Sequence, residues 1–315
     1  MIPFEPLFRN PHLQTIAGHF WIRNGEEWRF PLRRRFYRTE RGIAVLVQSQ
    51  RPSGRAAGEI ILVHGLEGSG EAGYMRSFSG AALRAGFAAH RFHMRTCGGT
   101  ERFSSTLYHA GLTTDLISVL QSFQHEGRSP AFLVGFSLGG NVVLKLAGEM
   151  GERAPILIRG VCAVSTPLDL AACARRIAQP ENWVYERRFV RHMHARLCST
   201  GRYTRAELAD FGSLMAIDDR VTAPAFGFGD AANYYRTQSA NQYLESIRVP
   251  GLLIHAKDDP FAPFETFPSA LTRGNPRIEV MVTEYGGHLG FLGRKPHRFW
   301  LDEAILEWIM RHTVV

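Results

Sequence analysis

Ser137 stands between glycines in Gly135-Phe136-Ser137-Leu138-Gly139. The apolar run Ala131-Phe132-Leu133-Val134 precedes it, and a helix-like stretch from Asn141 to Ala147 follows. A serine at the tight point where a buried strand becomes a helix is a nucleophile elbow. The spacing predicts a positive φ at the serine, with glycines where side chains would collide with the neighbouring strand or helix. Such a turn lifts the serine oxygen clear of the sheet edge and sets it near the unpaired N–H groups of a helix N-terminus, where negative charge is favoured. A serine hydroxyl needs a base to become a nucleophile. Histidine, which titrates near ~6.5 when unperturbed, suits that task, and a carboxylate fixes its tautomer and steadies its charged form.

After an elbow of this kind the acid and then the histidine follow the serine in the chain. His288 lies among glycines in Tyr285-Gly286-Gly287-His288-Leu289-Gly290-Phe291, just past the last expected strand. It is the expected base; His297 and His312 fall in or beside the last helix and read as surface residues. The acid comes from the strand-to-turn run Leu252-Leu253-Ile254-His255-Ala256-Lys257-Asp258-Asp259-Pro260. Successive extended side chains point opposite ways, so one of the two aspartates faces the histidine. Asp259 is the expected acid and Asp258 the alternative, with a turn-capping role for the other.

His64-Gly65-Leu66-Glu67-Gly68 follows a buried strand, where a second oxyanion donor belongs. The expected donors are the backbone N–H groups of Leu66 and Leu138. His64 precedes the serine and reads as a loop support rather than a base. His192 and His194, two apart, do not share a helical face, so no metal pair is expected. Gly98-Gly99 lacks nucleotide-binding spacing, and no cofactor is expected. Asp115 reads as a satisfied surface acid on a helix.

The elements that must position these groups alternate. Strands are expected at Arg33–Arg38, Ile43–Gln48, Glu59–Val63, Phe87–Met94, Ala131–Phe136 and Arg159–Val164, and again at Gly251–His255 and Ile278–Val282. Helices are expected over Gly73–Ala85, Leu112–His125 and Phe299–Met310. This is the pattern of an α/β fold with a mostly parallel sheet covered on both faces. Residues 1–32 read as an irregular lead-in. The stretch from 166 to 247 is helical and strand-poor, which makes it a cap inserted after the sixth strand. One domain is expected, with a core of about 1–165 and 248–315.

At 315 residues the chain can bury a large core. Its formal charge of +8 reads as an arginine-rich soluble composition, with attraction to anionic surfaces as the second reading. Arg175, Arg176, Arg187, Arg188, Arg191, Arg196, Arg202 and Arg205 make the insertion basic; a solvated face is expected, with peripheral lipid contact as the other reading. There is no RNA-binding or zinc-finger signature, so nucleic acid is not an expected partner. Four cysteines without paired spacing, and an N-terminus without a secretory pattern, point to a reduced cytoplasmic protein. No uninterrupted apolar run of ~18 residues suggests a transmembrane helix.

Taken together, the chain resembles the α/β-hydrolase superfamily and, within it, the YheT-like branch. The matching segments are Arg9-Asn10-Pro11-His12-Leu13-Gln14-Thr15-Ile16, His64-Gly65-Leu66-Glu67-Gly68-Ser69, Gly135-Phe136-Ser137-Leu138-Gly139-Gly140-Asn141, Ala256-Lys257-Asp258-Asp259-Pro260-Phe261 and Gly287-His288-Leu289-Gly290-Phe291. Val221-Thr222-Ala223-Pro224 and Asn233-Tyr234-Tyr235-Arg236 also fit that branch. Thr96 departs from it, standing where the family usually has glycine. The resemblance implies carboxylic-ester hydrolysis through an acyl-serine, on short- to medium-chain or lipid-derived acyl esters. An acyltransferase with an alcohol acceptor is the alternative, and a non-catalytic binding protein the third reading. Trp183, Tyr185, Phe189, Phe226, Phe228, Tyr234 and Tyr235 are candidates to line an acyl pocket.

Overall fold

The computed structural model describes residues 2–23, 26–267 and 274–313. Eight strands form one sheet: β1 (Arg33–Glu40), β2 (Ile43–Gln50), β3 (Glu59–Val63), β4 (Ala88–Phe92), β5 (Ala131–Phe136), β6 (Ile158–Val164), β7 (Gly251–Ala256) and β8 (Ile278–Thr283). Their spatial order is β1-β2-β4-β3-β5-β6-β7-β8. β1 pairs antiparallel with β2, and β2 with β4; every later pairing is parallel.

Near-continuous apolar strands follow from burial on both faces. Alternate residues then serve opposite layers. Ile60 and Leu62 of β3, with Phe132, Val134 and Phe136 of β5, pack with α2 (Gly73–Arg84) and the C-terminal helix Trp300–Arg311. Ile61, Val63 and Leu133 face the other layer, built on α3 (Thr114–His125) and α4 (Leu138–Met150). Gly86, at φ 87°, turns the chain from α2 towards β4.

Between β6 and β7 the regular elements are all helical, with α5 (Leu170–Ile177), α6 (Trp183–Ser199) and the helix Ala231–Gln238 as the longer pieces. Asp169 caps α5, accepting from the Ala172 N–H at 2.9 Å. Buried Leu170, Ala174, Ile177, Met193 and Leu197 join this helical segment to the core layer of α3 and α4.

The lead-in is not irregular throughout. Pro11–Phe20 forms a helix, α1, with Pro11 at its first turn and the Asn10 side chain accepting from the Leu13 N–H at 3.0 Å. Asp115 is not a surface acid either. It is buried and takes the Arg95 guanidinium in a two-pronged pair, Nε to Oδ2 at 2.6 Å and Nη2 to Oδ1 at 2.8 Å. Among the described residues, no helix is long and apolar enough to cross a membrane.

Candidate active site

The parallel pairings bring distant loops to one sheet edge. Val63 lies opposite Gly135, Phe136 opposite Val164, and Ala256 opposite Thr283. The loops that leave β3, β5, β7 and β8 therefore meet at the carboxyl ends of the strands, where open α/β sheets bind ligands. Ser137 links β5 directly to α4, at φ 53° and ψ −121°. A Cβ at Gly135 would strike the Gly139 carbonyl, and one at Gly139 would strike the Val63 carbonyl. Both glycines are thus required by close backbone approach.

The Ser137 hydroxyl lies 2.9 Å from His288 Nε2, and His288 Nδ1 lies 2.9 Å from Asp259 Oδ2 and 3.1 Å from Oδ1. The ionised carboxylate only accepts, so Nδ1 carries the proton and Nε2 is left to accept from the serine. Asp259 is held in turn by the N–H groups of Phe261 (2.8 Å) and Ala262 (3.0 Å), both donating to Oδ1. Burial raises the Asp259 pKa, but the His288 ring and the donors around the carboxylate outweigh it, and the net shift is downward.

Asp258 points elsewhere. Its Oδ1 accepts from the Gly287 N–H at 2.9 Å, and burial holds its pKa above the ordinary carboxylate value. It braces the backbone of the histidine loop and does not touch the imidazole.

Gly65 brings its loop against Ser137: a Cβ there would sit 3.1 Å from the serine Cβ. The Gly65 N–H donates to the Tyr74 hydroxyl (3.1 Å) and the Glu67 N–H to the Tyr108 hydroxyl (3.1 Å). Between them, no acceptor among the described residues takes the Leu66 N–H. The Leu138 N–H opens α4 and has no partner within that helix. Two free donors thus flank Ser137. His64 is fully buried; its Nε2 accepts from the Met94 N–H (3.1 Å), so its Nδ1–H donates to the Gly65 carbonyl (2.8 Å). Burial depresses its pKa to about 3, which keeps it neutral in this bracing position.

A cavity of about 80 Å³ opens beside Ser137 and His288. Leu66, Leu170, Ile177, Phe189, Met193 and Phe261 give it apolar walls, and Arg196, Asp218, Tyr234 and Tyr235 line a polar part. The Tyr235 hydroxyl donates to Asp218 Oδ2 at 2.8 Å, and burial raises the Asp218 pKa to about 6. Of the aromatic candidates, Phe189, Tyr234 and Tyr235 line this cavity. Tyr185 packs edge-on against Phe261, Phe226 and Phe228 surround His109, and Trp183 is 60% exposed.

Several supporting residues escape a reading of local pattern. The Thr15 hydroxyl accepts from the His288 N–H at 2.9 Å, and Gln14 exchanges two hydrogen bonds with the Leu292 backbone (3.0 and 3.1 Å). The only signal for them in the sequence is the shared Asn-Pro-His-Leu-Gln-Thr segment. Arg196 is no solvated charge: it reaches Glu67 and the Thr96 hydroxyl, the latter at 3.1 Å. Thr96 adopts φ 59°, a conformation that ordinarily favours glycine, and is fully buried.

The chain matches the alpha/beta hydrolase family over residues 60–300. It is 32% identical over 313 residues to the esterase candidate YheT of Escherichia coli (strain K12), spanning 96% of this chain and 91% of that protein. It is 27% identical over 285 residues to the medium-chain fatty acid ethyl ester synthase/esterase 2 of Saccharomyces cerevisiae, spanning 80% of this chain and 62% of that one. The solved esterase Pf2001 of Pyrococcus furiosus superposes with a TM-score of 0.63 at 17% identity, over 98% of this chain and 97% of the other, which is a likeness of fold. The chain therefore belongs to the alpha/beta hydrolase family, in its YheT-like branch.

Proposed function

We propose that the protein is a serine hydrolase of carboxylic esters that works through an acyl-serine. The observation that carries this reading is the continuous hydrogen-bond chain from Ser137 through His288 to Asp259. Ser137 Oγ attacks the ester carbonyl while His288 Nε2 takes its proton. Asp259 holds the Nδ1–H and stabilises the imidazolium. The oxyanion collects the N–H groups of Leu66 and Leu138, each such donor being worth about 3 kcal/mol in the transition state. The imidazolium gives its proton to the departing alcohol, and a water activated by the same nitrogen releases the acid.

The apolar cavity walls suit an acyl chain. Free cysteines at 97, 162, 173 and 198 fit a reducing compartment, so the proposed location is the cytoplasm. The test is hydrolysis of p-nitrophenyl esters of graded acyl length. Ser137→Ala should lose at least about 10³ of the rate with its thermal melt unchanged. Undiminished hydrolysis in that variant would remove the proposal.

A second reading keeps the acyl-enzyme and changes the acceptor from water to an alcohol. The synthase/esterase name of the yeast relative favours it. Its measure is the ratio of new ester to free acid when an alcohol competes with water.

A further inference from the structure

Exposed apolar side chains are ordinary when scattered, but a contiguous patch rimmed by charge marks a contact surface. Leu13, Ile16 and Phe20 are 53%, 45% and 70% exposed, and Ile22, just past α1, is 89% exposed. The first three are spaced three and four apart and share one face of α1. The opposite face of α1 carries Gln14, Thr15 and Gly18, which pack on the loop of His288.

α6 lies against α1 at two points. The Tyr185 hydroxyl and His12 Nδ1 are hydrogen-bonded at 3.1 Å with their rings stacked, and Arg188 Nη2 donates to His19 Nε2 at 3.1 Å. At the start of α6, Trp183 and Val184 are 60% and 54% exposed and share a surface groove with Arg187, Arg188 and Arg191. Glu186 is the only acid on α6, and its Oε1 is turned to the Leu214 N–H (3.2 Å). α1 thus presents large apolar side chains, and the neighbouring α6 presents apolar side chains beside arginines. A lipid interface takes this combination, because aromatic and aliphatic groups enter the acyl boundary while guanidinium groups meet phosphates.

We propose that the outer faces of α1 and α6 dock on an anionic lipid bilayer, with Phe20, Ile22 and Trp183 entering the interface and Arg187, Arg188 and Arg191 on the headgroup phosphates. Contact with the site is short: Tyr185 stands on Phe261 (ring centroids 4.6 Å), and Phe261 on His288 (4.6 Å). Docking therefore sets the cavity beside the source of acyl esters. That consequence rests on the proposed ester hydrolysis; the docking itself does not.

The test is sedimentation with vesicles of phosphatidylcholine containing roughly one-third phosphatidylglycerol, beside vesicles of phosphatidylcholine alone. The protein should bind the anionic vesicles and bind the neutral ones about tenfold or more weakly. Phe20→Ser/Trp183→Ser and Arg187→Glu/Arg191→Glu should each weaken anionic binding by about tenfold or more, while hydrolysis of soluble p-nitrophenyl butyrate stays at the wild-type rate. Ser137→Ala should bind vesicles as the wild type does, so loss of the hydrolase reading would leave this readout intact. Absent binding to anionic vesicles, equal binding to neutral ones, or binding that both double variants retain would overturn the proposal. So would a wild-type dimer that Phe20→Ser/Trp183→Ser converts to a monomer, since a second copy would then cover the patch.

Discussion

Arg196 Nε lies 2.9 Å from each carboxylate oxygen of Glu67, and their side chains are only 8% and 4% exposed. Arg196 belongs to α6, whereas Glu67 follows Leu66 in the loop against Ser137 and has a φ of 52°. The Tyr108 hydroxyl also donates to Glu67 Oε1, at 3.0 Å. Helix α6 thus grips the loop that carries one of the two free N–H groups beside the serine.

Removing one partner of a buried pair strands the other charge, at a cost of about 3–5 kcal/mol. Arg196→Met should lower the melting temperature and reduce kcat more than it raises KM, because it loosens the loop rather than the acyl walls. Glu67→Gln combined with Arg196→Met should recover part of the stability. Calorimetry with steady-state kinetics checks this. A fully active, equally stable Arg196→Met would contradict it.

The two neighbouring aspartates should separate in kinetics. Asp259→Asn loses the acceptor that fixes the His288 tautomer, and kcat should fall by on the order of 10³–10⁴. Asp258→Asn keeps an acceptor for the Gly287 N–H and should stay within about tenfold of wild type. Equal losses in the two variants would contradict the division of roles read from their contacts.

Much of this site is legible in the sequence because it is local. Glycines around Ser137, the acidic turn after an apolar run and the glycine-flanked His288 each mark a sharp backbone feature within a few residues. Strand positions follow equally, since buried parallel strands are short apolar runs. What local pattern does not carry is the pairing of charges far apart along the chain. Arg196 lies in a helix with many arginines, so nothing nearby distinguishes a buried guanidinium from a solvated one. Asp115 reads as exposed until Arg95 arrives from another strand end. α1 is obscured because Pro11 and aromatic residues suggest irregular chain, although Asn10-Pro11 is a good helix start.

Thr15 offers a test of that hidden support. Thr15→Val leaves the His288 N–H without its acceptor, a loss of about 1–3 kcal/mol for a buried donor. The expected result is a drop in kcat of about tenfold with little change in KM, and recovery in Thr15→Ser. Equal rates in the valine and serine variants would show that the bond does not position the loop.

Stability should depend on pH through Asp302, which is buried beneath α2. Burial raises its pKa to about 6, opposed by Arg23 and by the Ser77 hydroxyl, with which it is hydrogen-bonded. The unfolded carboxyl titrates near ~3.9. Between about pH 4 and pH 6 the folded state therefore binds the extra proton, and stability falls as pH rises, by about 3 kcal/mol. Asp302→Asn removes that dependence. Its melting temperature relative to wild type should be higher at pH 8 than at pH 4, and a pH-independent difference would contradict the assignment.

The most direct measurement is covalent labelling with a fluorophosphonate, followed by mass spectrometry of the peptides. A single adduct on Ser137, lost in Ser137→Ala and strongly slowed in His288→Ala, is the predicted result. An unlabelled wild-type protein, or an adduct on a different residue, would contradict the role assigned to the Ser137–His288–Asp259 chain.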